Sequence, residues 1–118
     1  MTIPNIVNVA TIHAESVVGD LGTTLTTTLL TGEAEHVYKI NVFRVTNVTD
    51  NDATVTADIE KGGTHKKLCN ELTVPANSSV DVIDKNASFY LQETDLIRGG
   101  ASAASTLEVT ISYEKVAD

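Results

Sequence analysis

Aspartates at positions 50 and 52 are the first residues of this chain whose type and spacing could do chemistry. Two carboxylates two residues apart are also found in calcium-binding loops. A calcium loop of the EF-hand type needs a third ligand, a glycine and a terminal glutamate at set steps, and these do not follow Asp50. Asp50-Asn51-Asp52 is also typical of a turn, because such residues tolerate left-handed backbone and bond their own main chain. We therefore interpret residues 50–52 as a turn.

The three histidines are too dispersed to form a metal site. His65 and Cys69 would share one face of a strand, but four strand residues span about 13 Å, too far for both side chains to hold one ion. His13 and Glu15 lie closer together on one face but lack a third ligand nearby, and His36 is isolated. We predict no metal site.

No arrangement for nucleophilic or phosphate chemistry is recognisable. The chain has no Gly-x-Ser-x-Gly turn and no glycine-rich phosphate loop. Asp81 and Asp84 could form a carboxylate pair, but nothing in the sequence places a cleft around them. We expect a protein that is not an enzyme and that binds no cofactor.

Composition narrows the class of partner. The chain of 118 residues has 16 acidic and 8 basic residues, giving a net charge of −8, so a nucleic acid is a poor partner. Lys66-Lys67 is the one basic pair, and we interpret it as protection of an edge strand. Aromatic residues make up 4% of the chain, which argues against stacking on single-stranded bases or sugar rings.

The sequence also carries expectations about compartment. A single cysteine, Cys69, cannot form an intramolecular disulfide. Residues 1–10 have neither the basic region nor the apolar run of a signal peptide, and no stretch approaches the ~20 apolar residues of a membrane helix. We expect a chain made in a reducing cytoplasm, with no membrane partner. We also expect no glycosylation at the triplets that begin at Asn47, Asn77 and Asn86.

The fold class follows from β-branched residues and alternation. The chain contains 17 Thr, 14 Val and 8 Ile residues, a third of its length, and these side chains favour strands. Residues 53–60 and 107–114 alternate strictly between apolar and polar side chains, which a helix cannot do. We predict an all-β, two-sheet antiparallel sandwich, immunoglobulin-like or jelly-roll-like, with seven or eight strands. The other predicted strands cover residues 5–12, 24–30, 37–48, 65–74, 79–83 and 88–97.

Two local features refine this prediction. Tyr38, Ile40 and Val42 share one face of a strand, whereas Phe43 and Val45 share the other. Such a switch, placed near Val42-Phe43, indicates a bulge or a crossing between sheets. Turn residues at 50–52 and at 62–63 predict hairpins.

The start of the chain reads differently from the rest. Residues 1–22 carry short apolar groups without a clear partner, so we assign them to an N-terminal arm or first strand, with the sandwich domain at 23–118. The Thr-rich run at 23–28 is either an ordinary edge strand or an arm that adds a strand to a neighbouring subunit.

Residues 72–116 carry a family resemblance. The segments Leu72-Thr-Val-Pro-Ala-Asn-Ser-Ser-Val, Asp81-Val-Ile-Asp-Lys, Phe89-Tyr-Leu-Gln-Glu-Thr-Asp-Leu-Ile-Arg and Leu107-Glu-Val-Thr-Ile-Ser-Tyr-Glu resemble small β-sandwich virion proteins of tailed bacteriophages, including phages of cyanobacteria and other marine bacteria. With the pattern at 40–47 and 53–56, the likeness spans about two-thirds of the chain. It implies a place in a virus particle and supplies no catalytic residues.

Together these observations predict a structural protein of a phage particle. We expect a capsid decoration or cement protein on the outer surface of the major capsid lattice, present in many copies or as a homo-oligomer. A neck, tail or baseplate component is the alternative, and a module that binds host-surface glycan is the third hypothesis. Two segments are predicted to contact the partner, the arm and a small-residue loop: Thr2, Ile3, Pro4, Ile6, Val7, Val9 and Ile12, and Gly99, Gly100, Ala101 and Ser102.

Overall fold

The computed structural model describes residues 11–25, 27–104 and 106–117. These residues form nine strands and one short 3₁₀ turn at Lys85–Ala87. The strands are β1 (Thr11–Asp20), β2 (Thr27–Thr31), β3 (Val37–Asn47), β4 (Ala53–Lys61), β5 (Thr64–Val74), β6 (Ser79–Ile83), β7 (Phe89–Leu91), β8 (Leu96–Ala101) and β9 (Leu107–Ala117). Within the described ranges no helix is long and apolar enough to cross a membrane.

The strands form two antiparallel sheets that pack into a sandwich. The first sheet has the order β1-β9-β3-β6, with β7 also paired to β3, and the second has the order β2-β8-β4-β5. The chain passes repeatedly from one sheet to the other, as in a jelly roll. The predicted all-β, two-sheet sandwich is therefore confirmed, with nine described strands instead of seven or eight.

The core lies between the sheets and follows the alternation in the sequence. From the first sheet, Phe43, Ile111 and Leu107 are almost fully buried, and Val55 and Ile97 face them from the second. In β9, residues 107, 109, 111 and 113 are buried and 108 and 110 are exposed. The apolar row of a strand is therefore the row that packs against the opposite sheet.

The predicted change of face in β3 is a bulge. Pairing of β3 with β9 shifts register between Ile40 and Val42, and pairing with β6 shifts between Phe43 and Arg44. Because one extra residue is absorbed, Ile40 and Phe43 both point into the core. The strand stays in one sheet, so the bulge alternative is correct and the crossing alternative is wrong.

Several predicted boundaries need correction. Residues 62–63 do turn a hairpin, between β4 and β5, with both glycines at positive φ. The turn at 50–52, however, joins β3 in one sheet to β4 in the other, so it is not a hairpin. The predicted strand at 88–97 is split into β7 and β8, because residues 92–95 form a loop.

The start of the described chain is an integral part of the sandwich. β1 pairs with β9 over ten residues in a continuous register, from Thr11 opposite Ala117 to Asp20 opposite Glu108. The predicted strand at 5–12 falls mainly outside the described residues. The Thr-rich run leads into β2, which is an edge strand of the second sheet, as the first of its two interpretations proposed.

Candidate interaction surface

The structure separates the side chains that might have formed a metal site. In the described part of the chain, no group of three or more His, Cys, Asp or Glu residues is placed to hold a metal ion. In the pairing of β5 with β4, His65 lies opposite Glu60 and Cys69 lies opposite Ala57. The two side chains point to opposite faces of the sheet because the register of β5 shifts between His65 and Cys69. The expectation that both share a face is therefore wrong. Cys69 is half-buried, and burial raises the pKa of its thiol.

The two aspartates of the 50–52 turn bond a neighbouring turn. Asp52 Oδ1 accepts a hydrogen bond from the backbone N–H of Ala76 at 3.0 Å, and Asp50 Oδ1 accepts one from Asn77 Nδ2 at 3.0 Å. These bonds tie the turn between β3 and β4 to the turn between β5 and β6. The structural interpretation of Asp-Asn-Asp accounts for both carboxylates.

The largest charge cluster lies on the outer face of the second sheet. Asp58 is 1% exposed, and Arg98 on the adjacent strand donates to both of its carboxylate oxygens. The hydrogen bond from Arg98 holds the pKa of Asp58 below its ordinary value against the opposing effect of burial. His65 Nε2 lies 2.9 Å from Glu60 Oε1 beside this pair. The carboxylate and guanidinium satisfy each other, so the cluster has a structural role.

A second cluster closes one end of the sandwich. The rings of Tyr38 and Tyr113 stack 4.8 Å apart at an interplanar angle of 7°. Lys115 Nζ lies 5.9 Å from the centre of the Tyr38 ring and forms an ion pair with Glu33. Burial raises the pKa of both tyrosines, and the hydrogen bond that Lys115 donates to Glu33 raises the pKa of Lys115. Sequence reasoning did not find this cluster, since Lys115 and Glu33 carry no motif.

A groove crosses the outer face of the second sheet. It is lined by Thr23, Leu25, Thr54, Thr56, Glu71, Gly100, Ala101 and Ser102. None of these residues offers an aromatic ring on which a sugar could stack. The groove therefore adds no support to the glycan hypothesis.

The small-residue segment predicted to be a contact loop is mainly a buried strand. Gly99, Gly100 and Ala101 belong to β8 and are buried, and only Ser102 is exposed. A Cβ at Gly99 would lie 2.9 Å from Leu21 Cδ2, and a Cβ at Gly100 would lie 2.8 Å from the Thr24 carbonyl oxygen. Because these two glycines have no side chains, Leu21 and Thr24 can pack directly over β8. The prediction of a loop is therefore wrong for residues 99–101.

Of the arm residues predicted to contact a partner, Ile12 is the one that the structure describes. Thr2, Ile3, Pro4, Ile6, Val7 and Val9 lie outside the described residues. Ile12, in the second position of β1, is 59% exposed. Nine of the ten residues of β1 are exposed, including Val18 at 73%. β1 is thus a solvent-exposed edge strand of the first sheet.

β1 differs from the other sheet edges in length and regularity. β2, β6 and β7 have five, five and three residues. β5 is long, but its register shifts twice and Glu71 has a positive φ of 52°. Short strands, bulges and edge lysines such as Lys66 all discourage strand addition. Among the described strands, β1 alone is a long edge with an unbroken register, and this edge is the candidate interaction surface.

Comparison with known proteins identifies a fold and no family. No family model matches the chain, and no curated protein matches it. A solved protein from the pili of Bacillus endospore appendages, described as a novel family of disulfide-linked pili, is similar in structure. Its TM-score is 0.53 at 19% identity, and the match covers 92% of this chain and 90% of that one. At this identity the likeness shows the fold alone.

Proposed function

We propose that this chain is a non-enzymatic structural subunit of a multi-copy protein assembly. The observation that carries the proposal is β1, a ten-residue edge strand of which nine residues are exposed. Exposed, regular edges are templates for pairing with another chain, and proteins usually block them. The structural likeness to a pilus protein supports the same class of role, because that protein also belongs to an assembled structure.

The specific assembly that we propose is a bacteriophage particle. The support is the resemblance of residues 72–116 to small virion proteins, together with the acidic charge of −8. An acidic surface suits a position outside the capsid, away from the packaged genome. Within the particle we favour a decoration protein on the major capsid lattice, where many copies multiply a modest individual affinity.

A cellular appendage is the second candidate setting, and the pilus protein favours it. The disulfide linkage of that pilus could not be reproduced by this chain. A polymer joined by disulfides needs at least two cysteines in each subunit, whereas these 118 residues contain Cys69 alone. An appendage built from these residues would need links between subunits other than a continuous chain of disulfides.

The test is the copy number of the chain in purified particles, measured by quantitative mass spectrometry against the major capsid protein. A ratio near one, or a simple fraction of it, is the expected result for a lattice-wide decoration protein. A much smaller number of copies would move the chain to the neck, tail or baseplate. Absence from particles, with recovery in an appendage fraction of the host, would overturn the virion setting.

A further inference from the structure

The backbone of β1 presents alternate residues to its open edge. Leu21 N–H donates to the Leu107 carbonyl at 3.1 Å, directly beyond the β1–β9 ladder and in the same register. Residues 21 and 107 are therefore a hydrogen-bonded pair, and in an antiparallel ladder such pairs recur at every second residue. The odd residues of β1 bond β9, so the N–H and C=O groups of the even residues point away from the sheet.

The side chains of those even residues form a row on the outer face that is uncharged from residue 12 to residue 18 and ends at Asp20. The row lies on the outer face because it alternates with residues that pair with the buried Ile111 and Val109 of β9. Its uncharged members are Ile12, Ala14, Ser16 and Val18. Ile12 and Val18 are among the exposed large hydrophobic residues of the described chain. From residue 12 to residue 18, the side chains of the row are large, small, small and large in size, in either direction. A row that reads the same in both directions can pair with itself.

We propose that β1 pairs with β1 of a second copy, antiparallel and about a two-fold axis perpendicular to the sheet. This inference rests on the proposed function and names the partner at one of its surfaces. Ile12 lies opposite Val18 of the other copy, and Ala14 lies opposite its Ser16. Each of these pairs exchanges two backbone hydrogen bonds, and the two four-stranded paths join into one sheet.

A second copy fits this edge better than a charged partner. Copies of a chain with net charge −8 repel, so a self-contact must lie where charge is low. Residues 12–18 contain one carboxylate, that of Glu15. The proposed register places Glu15 on the two-fold axis, opposite Glu15 of the other copy. Within its own copy Glu15 lies 4.0 Å from Lys115 Nζ and 3.5 Å from the Tyr113 hydroxyl. These neighbours offset the repulsion between the two carboxylates.

The first test is the association state of the purified chain by analytical ultracentrifugation. We expect a concentration-dependent dimer, and we expect Val18→Asp to weaken it by about tenfold or more, because a carboxylate would face Ile12 twice in each interface. Val48→Asp is the matched control, since Val48 is 50% exposed and lies outside β1. Ala14→Pro provides a second variant, because it removes an outward N–H and leaves the bonds to β9 in place.

The second test fixes the register by cross-linking in a Cys69→Ser background. Glu15→Cys should form an intermolecular disulfide faster than Ala14→Cys or Ser16→Cys. The expected Cα separation of two opposite, non-hydrogen-bonded residues is about 4.5 Å, which a disulfide can span. A purely monomeric chain, or equal weakening by Val48→Asp, would overturn the pairing. Faster cross-linking at 14 or 16 would overturn the register.

These outcomes are separable from the proposed function. The pairing is measured on the purified chain alone, whereas the function is measured by copy number in particles. A chain that is monomeric in solution but abundant in particles would refute the β1 pairing and leave the structural role intact. A chain that dimerises in solution but is absent from every particle or appendage would refute the structural role and leave the β1 pairing intact.

Discussion

Arg98 holds the buried carboxylate of Asp58 across two strands, with Nε 3.0 Å from Oδ1 and Nη2 2.5 Å from Oδ2. Asp58 is 1% exposed although it lies in the polar row of β4, between residues that the sequence places on the solvent side. The two residues are 40 positions apart in sequence. Their pairing is a two-bond, charge-assisted contact on the outer face of the second sheet.

Removal of Arg98 should destabilise the fold. Arg98→Met leaves Asp58 buried without its counter-ion, and we expect a loss of about 3 kcal/mol in the free energy of unfolding. Arg44→Met is the matched control, because Arg44 and Asp81 form a largely exposed pair, for which we expect a loss of about 0–1 kcal/mol. Urea denaturation of both variants measures the difference. Equal losses would show that burial does not distinguish the pairs.

The same pair predicts a loss of stability in acid. Because Arg98 lowers the pKa of Asp58 in the folded state, the folded protein binds that proton less readily than the unfolded chain. The resulting stabilisation is complete above the pKa of an unfolded aspartate, about 3.9, and is lost as the pH falls through the lower folded value. The urea midpoint should fall more steeply below pH ~4 in the native chain than in Asp58→Asn. Parallel pH profiles would contradict this assignment.

Gly32 should be intolerant of any side chain. A Cβ at this position would lie 1.9 Å from the carbonyl oxygen of Gln92, because the loops that carry the two residues are bonded closely. We expect Gly32→Ala to cost about 2 kcal/mol or more, seen as a lower melting temperature. Gly19→Ala is the control, since its Cβ would meet only Val109 at an ordinary 4.0 Å. A melting temperature unchanged in both variants would refute the steric argument.

Asn47 should be required for the turn between the two sheets. It is 1% exposed, and its Nδ2 donates to the carbonyls of Asn51 and Val74 while its Oδ1 accepts two bonds from Thr49. Asn47→Ala removes all four hydrogen bonds, including the buried one to the Val74 carbonyl, and we expect a loss of about 2–3 kcal/mol. Asn86→Ala, at an exposed position, should change the unfolding midpoint little. A small effect at position 47 would mean that water replaces the amide.

The sequence by itself determined the fold class and the strands with clear alternation. β6 lies at the predicted residues, and β4 and β9 begin where their alternation begins and end one and three residues later. The Gly62-Gly63 hairpin and the bulge in β3 were also readable, because backbone conformation and the face of a side chain are local properties. The structural interpretation of the 50–52 turn was readable for the same reason.

Only the tertiary structure decided which strands meet and which polar residues are buried. β1 carries little apolar alternation of its own and exists because β9 supplies its hydrogen bonds from residues 88 to 106 positions away in sequence. Gly99 and Gly100 resemble a loop in sequence, yet they are buried because Leu21 and Leu29 pack over Gly99 and the backbone of Thr24 packs over Gly100. Strand pairing and burial depend on contacts between residues that are distant in sequence, and a local sequence pattern does not specify those contacts.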